Sequence, residues 1–197
     1  MAVNIKRRPL NTVHKVNPEP RKYAPGVTLL NRRTFDLNQH ANTLPSDVEN
    51  WLLGSASKSA DTHSFIEGFA CRLAQAGLGV ERLILNVGTL HPQAYGYAWH
   101  WNTLDSICDE IQVSEDTLLS DAFRKNPICR VIELGETVRV KLTDDHSDAQ
   151  SPLMKELTSV GFTEYVALPL SASGEKHNAL TIATRQSGGF IDHDRIE

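Results

Sequence analysis

A chain of 197 residues, 40% hydrophobic and 22% charged, is long enough for one domain with a packed core and too apolar for global disorder. Its formal charge of −4 argues against a generic nucleic-acid binder. Three scattered cysteines (Cys71, Cys108 and Cys129) argue against a disulfide framework or a Cys-rich zinc site, and no stretch reaches the roughly 20 apolar residues of a membrane helix. The basic N-terminus also lacks the apolar run of a signal peptide, so the expectation is a soluble, cytoplasmic protein.

The charge is unevenly spread. Residues 1–40 carry +6, which leaves −10 on the remainder. With Pro9, Pro18, Pro20 and Pro25, residues 1–42 read as a flexible basic arm, or else as a contact to an acidic partner or a dimer mate. A domain is expected over 43–191. Ser46, Asp47 and Glu49 suit the first turn of a short helix that breaks near Gly54. Asp61 caps a stronger helix over 62–76, with Phe65, Ile66, Phe69, Ala70, Leu73 and Ala76 inward and Gly77 as the stop. Cys71, on that helix, reads as a small buried hydrophobe.

The apolar period then changes from 3.6 to 2. Residues 81–88 place Leu83, Leu85 and Val87 on one face, with Arg82 and Asn86 on the other. Residues 94–101 place Tyr95, Tyr97, Trp99 and Trp101 one way and Ala94, Gly96, Ala98 and His100 the other. Two strands joined as a hairpin through 89–93 follow from that pattern. A third strand is expected over 109–113, one or two helices over 116–134 interrupted near Pro127, and a short strand over 137–142. A helix over 152–160 stops at Gly161, and strands over 164–170 and 178–185 complete the series. Strands joined by short turns imply an antiparallel sheet with helices packed on one face of it, an α+β class whose outline fits a GAF- or PAS-like sensor fold. Residues 192–197 read as the first turn of a helix leading towards a missing C-terminal output domain.

No phosphate-binding loop, dinucleotide fingerprint, nucleophile elbow or metalloprotease helix occurs, and the eight histidines are scattered singly. The densest polar cluster, Asp144, Asp145, His146 and Asp148, reads as a solvated loop. No catalytic residue, metal ligand or cofactor can be named. The aromatic face remains the candidate: Tyr95, Tyr97, Trp99 and Trp101 at spacing two suit a core, the wall of a small-molecule pocket, or a face buried by a dimer partner. His91 and Tyr165 are the polar groups that would complete such a pocket.

Several segments carry a resemblance: Arg82–Gln93 (RLILNVGTLHPQ), Gly96–Trp99 (GYAW), Ser120–Pro127 (SDAFRKNP), Thr163–Leu170 (TEYVALPL), His177–Thr184 (HNALTIAT) and Gly188–Phe190 (GGF). Together they resemble the N-terminal regulatory region of bacterial class III adenylate/guanylate cyclases, over about residues 48–197. The resemblance implies a homodimeric regulatory region that controls a C-terminal cyclase domain producing cAMP; the leading expectation is a sensor of a small molecule or partner, whose identity the resemblance does not give, and charge and hydropathy point to neither nucleic acid nor membrane as that partner. The family's metal-binding aspartates and transition-state residues have no counterpart here, so it implies no catalytic residue in this chain. His91, Asp121 and Glu164 lie in matched segments, but the match assigns them no role. The alternatives are a ligand-free dimerisation module and a stand-alone enzyme.

Overall fold

The computed structural model describes residues 21–89, 95–142, 151–170 and 178–190. Seven antiparallel strands form one sheet: β1 (Val27–Thr34), β2 (Arg82–Gly88), β3 (Gly96–Asn102), β4 (Ile107–Val113), β5 (Val138–Lys141), β6 (Glu164–Leu170) and β7 (Asn178–Thr184). Their order is β1-β4-β3-β2-β7-β6-β5. β2 and β7 therefore lie at the centre, and each central side chain meets a neighbour on both flanking strands.

Side chains alternate across a sheet, so each strand supplies two faces. On one face, Leu83 pairs across with Trp101 and Ile182, and Ile182 with Val166. These residues join Cys108, Phe35 and Phe190 in a single core with Ile66, Ala70, Cys71 and Ala74 of helix α2 (Thr62–Gln75). Asp61 caps α2 by accepting from the Ser64 amide at 2.6 Å. The inward stripe is rotated from the expected one: Phe65 and Phe69 are only partly buried. Phe65 turns sideways to stack on Trp51 of helix α1 (Pro45–Gly54), ring centres 5.6 Å apart. α1 starts one residue before the expected cap, and the Asp47 carboxylate accepts from the Leu44 amide at 2.8 Å.

The opposite face is covered in two parts. Towards β5, Val138, Val140, Tyr165, Ala167, Ala179 and Ala183 pack under Ile128 and Val131 of helix α5 (Ile128–Leu134) and under Met154 and Leu157 of helix α6 (Pro152–Ser159). Two short helices, α3 (Glu115–Leu119) and α4 (Asp121–Arg124), lead into α5. Towards β1, Ile84, Ala98 and Ile111 pack with Tyr23, Val27 and Val113. The expected α+β class holds, but helices cover both faces of the sheet rather than the one expected, α2 on one and α5 and α6 on the other.

The expected arm over 1–42 is corrected for its described part. Residues 27–34 form the edge strand β1, paired with β4 from Val27↔Val113 to Thr34↔Ile107 and bulged between Leu29 and Asn31. Phe35 stacks on Trp101 at 4.9 Å. The bulge, the edge position and two arginines hide the strand period in the sequence. Those two and Arg21 before the strand find acidic partners within the domain: Arg21 with Asp105 at 2.7 Å, Arg32 with Asp109 at 2.7 Å and Arg33 with Asp61 at 2.8 Å. These three cations of the basic segment thus meet acidic groups of the same domain. The expected terminal helix turn at 192–197 and the acidic cluster at 144–148 lie outside the described residues.

Candidate ligand-binding site

The aromatic strand divides the expected site residues. Trp99 and Trp101 are buried in the core under α2 within a single chain, with Tyr97 partly buried against them. They are core rather than a pocket wall, and they are not accessible to a dimer partner. Tyr95 sits at the bend before β3, where its amide donates to the Val113 carbonyl and its carbonyl accepts from the Thr89 amide. Tyr165 is fully buried but points to the other face, under α5 and α6. His91 lies outside the described residues. The structure therefore does not gather the five described residues into one site.

A different set converges on the Tyr165 face. Arg82 opens the central strand β2, with Asn102 opposite on β3 and Ala183 opposite on β7; Ala183 in turn pairs with Tyr165. One step along, Ile84 lies between His100 and Thr181. Arg82, His100, Thr181 and Tyr165 thus occupy two adjacent rows of one sheet face. The neighbouring positions on this face are small and fully buried, namely Ala98, Ala179 and Ala183. Arg82 lies in the seam between the two coverings, feeling the charges of Glu156 on α6 and Arg21 in the N-terminal segment.

Arg82 is short of partners. Arg82 Nη1 is shut off from solvent and has no hydrogen-bond partner among the described residues, whereas the buried Thr181 hydroxyl lies against the Tyr165 phenol. No described carboxylate forms an ion pair with Arg82, although the residue keeps partial solvent access. Burial lowers its pKa, yet a guanidinium stays protonated at neutral pH. His100 is held well below the ordinary imidazole range by burial, then by the charges of Arg82 and Arg21, against a smaller opposing pull from Asp109. It is neutral at pH 7, and the Tyr23 ring meets it edge-on at 5.6 Å. Burial pushes the Tyr165 phenol up to about 12, so it remains a hydroxyl that can donate. A guanidinium, a phenol, a hydroxyl and a neutral imidazole form a donor-rich set with no nucleophile–base geometry, suited to binding rather than bond cleavage.

No known family model matches the chain, and neither does any curated protein.

One wall of the site is fixed by a saturated network. Asp109, buried beside His100 on β4, accepts from Tyr23 Oη at 2.7 Å and from Arg32 Nε and Nη2 at 2.7 and 2.8 Å. Burial pushes its carboxyl up, but the hydrogen bonds from Arg32 and Tyr23 and the charges of Arg21 and Arg32 outweigh this and hold it below the ordinary range. Tyr23 is pushed up, first by burial and then by its bond to Asp109. Asp109 is thus committed to two other side chains and cannot serve Arg82.

A second concavity lies elsewhere, an open groove of about 730 Å³ between β1, α1 and α2 lined by Arg33, His40, Trp51, Glu67 and Arg72. Its cations already have partners: Arg33 pairs with Asp61, and Arg72 lies 4.4 Å above the Trp51 ring and donates to the Gly68 carbonyl. Among the described residues, no group of three or more His, Cys, Asp or Glu side chains is placed to hold a metal ion, and no helix is long and apolar enough to cross a membrane.

Arg82, His100 and Thr181 escape a sequence reading because the second face of β2 and β3 looks solvent-exposed from alternation alone. The available signal is that an Arg and a His occupy that face in strands apolar enough to be central.

Proposed function

We propose that this chain is the GAF/PAS-like regulatory sensor domain of a class III nucleotide cyclase, and that its ligand binds on the sheet face at Arg82. The observation that carries the ligand-binding part is the unpartnered Arg82 guanidinium, one nitrogen of which is sealed from water at the middle of the sheet. A charged donor nitrogen cut off from water without a partner is costly, and such a group persists where something else supplies the missing partner. The cyclase part rests on the segment resemblance; a mixed fold with helices on both sheet faces is compatible with it. In this reading the chain itself is not the catalyst: a C-terminal cyclase domain in the same protein makes cAMP, and the sensor acts by binding its ligand with different affinity in two states of a homodimer. Exposed Leu29 and Leu30 on the edge strand are the apolar surface that favours such a dimer.

Reading the natural gene past codon 197 tests the cyclase assignment. A following domain with two metal-binding aspartates supports it. A stop codon or an unrelated domain removes it and leaves a free-standing ligand-binding domain. Where the cyclase domain is present, Arg82→Met in the whole protein is expected to abolish any ligand-dependent change in cAMP production while sparing the basal rate.

A further inference from the structure

We infer that the ligand at Arg82 is a small monocarboxylate; this rests on the ligand-binding reading above and specifies its chemistry. Arg82 supplies one full positive charge and a planar fork of donors that matches a carboxylate. Tyr165 and Thr181, on the same face, carry hydroxyls that can donate to the same oxygens, and the neutral His100 ring has one further N–H. No acidic side chain among the described residues occupies that role, because Asp105 and Asp109 are bound to Arg21, Arg32 and Tyr23.

The charge count favours one negative charge over two. The other cations nearby are engaged, and Asp109 and Glu156 both add negative potential. A phosphate dianion would bring a second charge with no free cation to meet it. The flanking side chains are already packed, Ile84, Ala98 and Ile111 against Tyr23 and Val27, and Ala179 and Ala183 under α5 and α6, so the ligand is little larger than the carboxylate itself. A cationic ligand is excluded by Arg82 itself.

The experiment is calorimetric titration and thermal shift of the full chain with acetate and propionate, set against acetamide, propionamide and inorganic phosphate. The expected result is binding and a raised Tm with the two carboxylates, no effect from the amides, and weaker or no binding of phosphate. Arg82→Met should weaken carboxylate binding at least about 30-fold, the loss of a charge-assisted bidentate contact; Arg82→Lys, which keeps the charge without the fork, should weaken it less. Amides that bind as well as the carboxylates overturn the carboxylate inference and leave the ligand-binding reading standing. Phosphate binding as tightly overturns the monoanion. Carboxylate binding unchanged in Arg82→Met overturns the placement at Arg82. No binding by either carboxylate overturns this inference alone, because retained ligand in the purified protein tests the parent reading independently.

Discussion

Replacing Arg82 by Met should make the ligand-free protein more stable, the reverse of what deleting a large buried polar side chain normally does. Met keeps most of the volume of the arginine stem, so little packing is lost. What disappears is a charged donor group with a buried nitrogen that no described residue pairs. An unsatisfied buried donor costs about 1–3 kcal/mol, more when charged, and the partial solvent access of Arg82 keeps the gain within that range. For a chain of this size each kcal/mol moves Tm by about 2–4 °C. The assay is urea unfolding at neutral pH, followed by tryptophan fluorescence, on protein stripped of any ligand by denaturation and refolding. The midpoint should rise with an unchanged slope. Saturating carboxylate should reverse the order, since only the wild type gains the binding free energy, about 2.7 kcal/mol at a hundredfold excess over Kd. A fall in stability of more than about 1 kcal/mol for ligand-free Arg82→Met would show that the guanidinium already has a stabilising partner, and the reasoning would fail.

Asp109→Asn should cost about 3 kcal/mol, since it breaks a buried, doubly paired carboxylate whose arginine partners retain some exposure, and it should speed tryptic cleavage within 21–33 as β1 loosens. Because the Asp109 pKa is depressed in the fold, its contribution is present above the unfolded value near 4 and is lost as pH falls through the folded value, so the gap between wild type and variant should close in acid. Glu164, buried on β6, accepts from Arg139 Nε at 2.6 Å and from the Phe190 amide at 2.7 Å, and a side chain at Gly189 would collide with its carboxylate. Glu164→Ala should therefore lower stability by about 3 kcal/mol and raise amide exchange at Phe190 before it does so in β2. His100 takes up a proton more readily unfolded than folded, so stability should decline as pH drops below about 6.5, at up to about 1.4 kcal/mol per pH unit; His100→Asn should flatten that decline, and an identical pH profile would contradict the assigned shift.

Much of the fold is legible in local signals. The Asp61 cap, the stop at Gly77 and the 3.6 period locate α2, while the alternation through Leu83–Val87 and Tyr97–Trp101 locates β2 and β3. The strand β1 is not legible, because an edge strand with a bulge carries no buried stripe to read. The stagger of α2 is also tertiary: Phe65 looks inward by period but is drawn onto Trp51. The site was missed for a related reason. Period two separates Trp99 from His100, and Leu83 from Arg82, but it cannot say that both faces are covered. That depends on helices about 30 to 70 residues further along and on Tyr23 about 60 to 80 residues back. The aromatic residues were conspicuous because they are large, and largeness here reflects packing under α2.

The most direct test of the central claim is native mass spectrometry of the chain as purified, wild type beside Arg82→Met. The account predicts a small acidic molecule on the wild type that is lost on denaturation and absent from the variant. The same retained mass on both proteins, or none on either after carboxylate is added, would contradict a ligand site at Arg82.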